Sequence, residues 1–221
     1  MAGLQRTRAR AAFETRTWLR YVAGIVISAA GTVTTLRAHL GLSPWDVLHD
    51  GLSRRTPLTF GQAVMTISII VVVGSWLVGI KPGAATILNT FLMGWFDDLF
   101  LATRIGADLV DAPLELRLAT LVAGIVLIGV GAAVYIGAGH GAGPRDSLQL
   151  ALSLRLRVPP GWSRAAIEGV ALLAGWALGG STGIGTLVFV ATIGAAVGIA
   201  FAILRVDPAG RRFPIATATE S

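Results

Sequence analysis

Two aspartates stand 100 positions apart in the same local setting. Asp46 follows Ser43-Pro44-Trp45, and Asp146 follows Gly143-Pro144-Arg145. Proline suits the first turn of a helix, Ser43 is a good N-cap, and an acidic third residue complements the positive end of the helix dipole. Each motif therefore opens a short helix, over about 44–55 and 144–156. If the two helix N-termini converge, positive helix ends beside paired carboxylates make a site for a small solute or a coupling ion. Capping alone also accounts for the spacing, since a first-turn carboxylate contributes about 0.3–1 kcal/mol wherever the helix lies.

Glu168 is the next candidate. It falls about two turns into an apolar run, where an ionisable group is a functional candidate by default. The competing reading is an i,i+4 pair with Arg164. Asn89, inside another apolar run, either lines a pathway or ties two helices together. Asp97 and Asp98 fall near the end of that run and read as solvated. His39, His49 and His140 are scattered over different loops and do not have the spacing of a metal site. Substrate-binding candidates are thus Asp46, Asp146, Glu168 and Asn89, with no catalytic residue, cofactor or metal expected.

The elements that position these residues are duplicated. Gly41, Pro44, Asp46 and Ser53 recur as Gly141, Pro144, Asp146 and Ser153. Gly61, Trp76, Gly79, Gly83, Thr86 and Gly94 recur in the same way, without a gap. Val22-Ala23-Gly24-Ile25-Val26 returns as Val122-Ala123-Gly124-Ile125-Val126. About a quarter of the positions in 19–98 match those 100 further on, and repeats of one unit are a construction principle of transporters.

Composition sets the solvent. Of 221 residues, 54% are hydrophobic and 14% charged, and mean hydropathy is +0.72. Soluble domains carry about 25% charged residues. Several nearly uncharged runs of about 18–22 residues are long enough to cross a hydrocarbon core of about 30 Å. The expected class is an all-α polytopic membrane protein. With no cysteine, disulfides and thiolate chemistry are excluded. The net charge of +6 sits largely in the N-terminal tail and at helix ends, without the aromatic interleaving of a nucleic-acid surface. The first apolar run lacks an A-x-A site and reads as a retained helix, not a removed signal peptide.

Six spans are predicted, at about 18–36, 61–80, 84–102, 118–137, 161–179 and 183–204. The organisation is a cytoplasmic tail (1–17), repeat 1 (18–102), an extracytoplasmic linker (103–117), repeat 2 (118–204) and a cytoplasmic tail (205–221). Three spans per copy is an odd number, so the second copy must be inverted. Loop charge agrees. Asp97 and Asp98 stand at the end of the third span and Asp108, Asp111 and Glu115 follow it, whereas Arg205, Arg211 and Arg212 follow the sixth. Both termini are then cytoplasmic. Trp18, Trp45, Trp95 and Trp162 read as interfacial belt residues, and Gly175/Gly179 and Gly194/Gly198 have the spacing of close helix contacts. The glycines between Gly137 and Gly143 lack the strand and the Gly-Lys-Ser/Thr of a phosphate loop. Intramembrane protease motifs are absent, and no enzyme is expected.

The segment Gly41-Leu-Ser-Pro44-Trp45-Asp46-Val-Leu-His49-Asp-Gly51-Leu-Ser53 resembles the first-loop signature of the bacterial YczE-like membrane proteins (the YczE/YyaS/YitT group). Gly61, Gly83-x-x-Thr86 and Asn89-x-x-x-x-Gly94-x-x-x-Asp98 continue that pattern. Gly141-Ala-Gly143-Pro144-Arg145-Asp146 resembles its second loop, with Ser147 where a glycine is commoner. The resemblance implies a multi-pass protein of the bacterial inner membrane, and transport is commonly suspected for the group. Two functions are expected from all of this: a small-solute permease of inverted-repeat type, or a non-transporting accessory or regulatory component of a partner complex. Implied partners are the lipid bilayer and a small molecule or ion, with a homo-oligomer or membrane partner left open and no nucleic acid.

Overall fold

A computed structural model describes the backbone of residues 2–103, 107–140 and 143–206; the side chains of residues 2–13, 107, 108, 146 and 150 lie outside the described residues. Eight α-helices make up the described chain. They are α1 (Ala2–Arg37), α2 (Pro44–Arg55), α3 (Phe60–Leu77), α4 (Ala84–Ala102), α5 (Leu114–Ile136), α6 (Pro144–Leu156), α7 (Pro160–Ala177) and α8 (Ile184–Leu204). Long and short helices follow in the same order in each half.

Local chemistry explains where these helices begin. Ser43 caps α2, its Oγ accepting from the Asp46 N–H at 3.1 Å. Thr59 and Gln62 form a reciprocal capping box at α3, with Gln62 N–H donating to Thr59 Oγ1 and Thr59 N–H to Gln62 Oε1. Pro160 stands in the first turn of α7, where its missing N–H costs nothing. The basic stretch expected as a tail is continuous with the first span, and α1 begins at Ala2. Alanine and arginine are strong helix formers, so nothing in 2–17 stops a helix from running back.

The central seam is α1 against α5. Gly24 lies against Gly131, and Gly31 against Gly124. Positions rise along one helix as they fall along the other, so the pair is antiparallel. A Cβ at Gly31 would come within 2.7 Å of the Ile128 backbone nitrogen and 2.8 Å of the Gly124 oxygen. Only glycine permits that approach. Around this seam α4 packs on α1 and α8 on α5, while α2 packs on α7 and α6 on α3. Each short helix therefore lies against a long helix of the other half. Gly185 N–H donates to Leu40 O at 2.7 Å, and Ser181 N–H to Asp50 Oδ2 at 2.7 Å, tying the halves together again. Gly41, in the left-handed region at φ +109°, lets the chain turn into α2 beside Gly183.

The outer surface is apolar. Leu77 is 82% exposed and Ile203 74%, with Ile70, Val170, Leu173 and Trp176 exposed nearby in the sequence pattern of lipid-facing helices. Four helices are long and apolar enough to cross a membrane: α1 from Glu14, α3, α5 and α8. The chain is an all-helical membrane protein. α4 and α7 fall short of that measure, because Asn89, Asp97 and Asp98 in one and Arg164 and Glu168 in the other lower their mean hydropathy.

Candidate functional site

The N-termini of α2 and α6 open onto one cavity of about 170 Å³. Ser43, Pro44 and Trp45 line it from one side and Gly143, Pro144 and Arg145 from the other. Its walls add Val64, Ser68, Asn89 and Met93 from the first half. The second half adds Ile128, Ala132, Tyr135, Gln149, Arg164, Ile167, Glu168, Phe189, Ile193 and Val197. Many of these residues pair at the 100-residue offset: 43 with 143, 44 with 144, 45 with 145, 64 with 164, 68 with 168, 89 with 189 and 93 with 193. The pairs match in place and differ in chemistry. Trp45, Val64, Ser68 and Asn89 are neutral, whereas Arg145, Arg164 and Glu168 bring charge.

Asp46 sits just behind this wall, 4% exposed. Ser43 Oγ donates to its Oδ2 at 2.5 Å, so the cap serine grips both the backbone and the side chain of one residue. Its Oδ1 faces His49 Nδ1 at 3.3 Å and Arg145 Nη2 at 3.9 Å. Burial pushes the Asp46 carboxyl upward, but the His49 hydrogen bond, the Arg145 charge and the Ser43 hydroxyl together hold it below the usual carboxylate range. Burial also lowers His49, against the pull of Asp46, so its ring is neutral and its Nδ1–H donates to the carboxylate. Asp46 is therefore a cap and also the meeting point of the two short helices.

Arg145 reaches across from α6 and lies over the Trp45 ring, its guanidinium carbon 5.0 Å from the centroid. Trp45 is 8% exposed. It is a cavity wall and not a belt residue, because the turn at Gly41 directs the start of α2 inward. Trp18, also read as a belt residue, is half-buried and stacks on His140 at 3.9 Å between ring centroids. Trp95 and Trp162 are exposed.

The other candidates divide. Asn89 lines the cavity, is 8% exposed, and makes no side-chain hydrogen bond among the described residues. That argues against its acting as interhelical glue. Glu168 lines the cavity and also accepts from Arg164 Nε at 2.9 Å, the i,i+4 pair expected of it. The Asp146 side chain lies outside the described residues, although Arg145 and Gln149 beside it reach the cavity. Asp97 and Asp98 are not solvated alike. Asp97 is 1% exposed with an Oδ1 that has no hydrogen-bond partner. Asp98 is half-buried and accepts from Thr59 Oγ1 at 2.5 Å and from Gly61 N–H at 2.8 Å, bracing the start of α3. No group of three His, Cys, Asp or Glu that could hold a metal occurs among the described residues.

Arg145 is the residue that sequence reasoning passed over. It is not among the candidates that the sequence offers, yet it stands at the offset partner of Trp45, one residue before Asp146. The repeat register itself was the signal that could have found it.

Residues 15–201 match a family described as a family of unknown function, DUF6198. The chain belongs to that family. It is 36% identical over 178 residues to the "Uncharacterized membrane protein YczE" of Bacillus subtilis, covering 77% of this chain and 78% of the relative. It is 33% identical over 158 residues to an "Uncharacterized protein" of Haemophilus influenzae, covering 72% and 71%. It is 30% identical over 174 residues to the "Uncharacterized protein YyaS" of Bacillus subtilis, covering 78% and 86%. This agrees with the resemblance carried by the two Pro-x-Asp loops. No solved structure matches the chain.

Proposed function

We propose that this DUF6198 protein is a small-solute permease of the bacterial inner membrane, with six spans in two inverted copies, both termini cytoplasmic and no enzymatic activity. The cavity walls carry this reading: seven pairs of their residues correspond at a 100-residue offset. A pathway on a pseudo-two-fold axis can open to either side by exchanging equivalent contacts, which is the logic of alternating access in repeat transporters. The antiparallel glycine seam of α1 and α5 supports the inverted arrangement. So does the packing of each short helix on the opposite half. In this reading α4 and α7 cross the membrane with their polar residues turned to the cavity, as Asn89, Arg164 and Glu168 are. The solute meets Asn89, Arg145 and Glu168, while Asp46 positions the start of α2. The test is uptake into proteoliposomes containing the purified chain. Absence of flux for anionic, cationic and neutral solutes alike would sink the permease.

A second reading is an accessory component of a membrane complex. Gly194 and Gly198 on α8 favour it, since a Cβ at either would meet nothing within 4 Å. That leaves a small-residue groove open to another helix. Co-purification of a stoichiometric membrane partner, lost on Gly194→Leu, would favour this reading over the first.

A further inference from the structure

We infer that the cavity binds a small organic carboxylate, its charged end held by Arg145 and Asn89 between the N-termini of α2 and α6. The inference rests on the permease reading and names its substrate class.

Arg145 makes no hydrogen bond among the described residues. Among the described residues its ion-pair neighbour is Asp46, at 3.9 Å, its charge also reaches the buried Asp97, and one face of its guanidinium covers Trp45. The edge of the fork is left for a planar bidentate acceptor, and a carboxylate has that shape. Asn89 supplies the independent sign. Its side chain is more than nine-tenths buried, reaches the cavity, and is unpartnered among the described residues. A buried amide is ordinarily hydrogen-bonded, and its NH₂ would donate to an anion held at Arg145. Both short helices also present their positive ends to the same space, and they are 12 and 13 residues long.

No carboxylate that lines the cavity is free among the described residues, and Asp97, buried with an unpartnered Oδ1, is not one of the lining residues. Glu168 is taken by Arg164 at 2.9 Å. Asp46 lies behind the wall and is held by Ser43 and His49. The cavity also has apolar lining, with Met93, Ile128 and Ile193, which suits a short carbon body better than a hydrated inorganic ion. About 170 Å³ lies below the range of about 300–1,000 Å³ of drug-sized pockets and limits the ligand to a few non-hydrogen atoms.

The experiment is calorimetric titration of the purified full chain in nanodiscs with acetate, lactate and pyruvate, against lactamide and chloride. At least one carboxylate is expected to bind at least tenfold more tightly than chloride, and lactamide not at all. Arg145→Gln should weaken that carboxylate at least tenfold. Because that variant also removes the cation facing Asp46, Asn89→Leu serves as a second probe that leaves the pair alone, and it should weaken binding at least fivefold with an unchanged melting temperature. Failure of all three carboxylates, equal binding of lactamide or chloride, or wild-type affinity in Asn89→Leu would each overturn the inference. Proteoliposome flux separates it from the permease reading. Carboxylate binding without flux removes the permease and leaves the site. Flux of a neutral or cationic solute without carboxylate binding does the reverse.

Discussion

Arg145 Nη2 of α6 and Asp46 Oδ1 of α2 lie 3.9 Å apart, and this contact joins the starts of two helices that are 100 residues apart in the chain. Neither residue makes the junction alone. Ser43 and His49 hold the carboxylate, and Trp45 supports the guanidinium from below.

Asp46→Asn should lower the melting temperature of the purified protein. The amide carries no charge to face Arg145 and cannot accept from both Ser43 and His49 as a carboxylate does, and the cost should be about 1–3 kcal/mol. Asp46→Asn combined with Arg145→Gln should cost less than the two separately, by roughly 0.5 kcal/mol or more. The arginine is half-buried, so the coupling stays small. Strict additivity in a thermal double-mutant cycle would mean that the contact does not matter.

Gly131→Val should be far more damaging than Gly194→Ala. A Cβ at Gly131 meets Ser28 and the Gly24 carbonyl, whereas one at Gly194 meets open space. Overpacking of that kind costs about 1–3 kcal/mol or more. A monodisperse peak in size-exclusion chromatography should vanish for the first variant and persist for the second.

Topology can be read without removing any native thiol, because the chain has no cysteine. Thr103→Cys should react with a membrane-impermeant maleimide in intact cells. Ser221→Cys should react only after the membrane is opened. Labelling of both from the same side would contradict two inverted three-span copies.

Glu168→Gln should reduce solute flux in proteoliposomes at least fivefold while barely changing stability. Its partner Arg164 is exposed and four residues away on the same helix, and such pairs contribute only about 0.3–0.5 kcal/mol. Unchanged flux would take Glu168 out of the pathway.

The short helices were the most legible part of the sequence. Expected over about 44–55 and 144–156, they run from Pro44 to Arg55 and from Pro144 to Leu156, because a cap, a proline and an acidic third residue are local signals that burial does not alter. Where α1 begins was not legible, since Ala and Arg carry no stop signal. Asp97 and Trp45 were misread for a different reason. Position along a span suggests depth, but whether a side chain faces lipid, water or protein depends on which helix covers it. Asp97 is covered and Trp95, two residues earlier on the same helix, is exposed. The ends of the two short helices open onto one cavity, and Asp46 both caps α2 and faces Arg145 at the start of α6.

The swapped glycines at the centre have a bearing on ancestry. Because 24 touches 131 and 31 touches 124, each half carries both the socket and the surface that fills it. On the proposed inverted arrangement, a free-standing product of either half would fit an upside-down twin by the same contacts. On that proposal the chain has the geometry expected of two opposed subunits that became one polypeptide, after which each half was free to acquire its own charges.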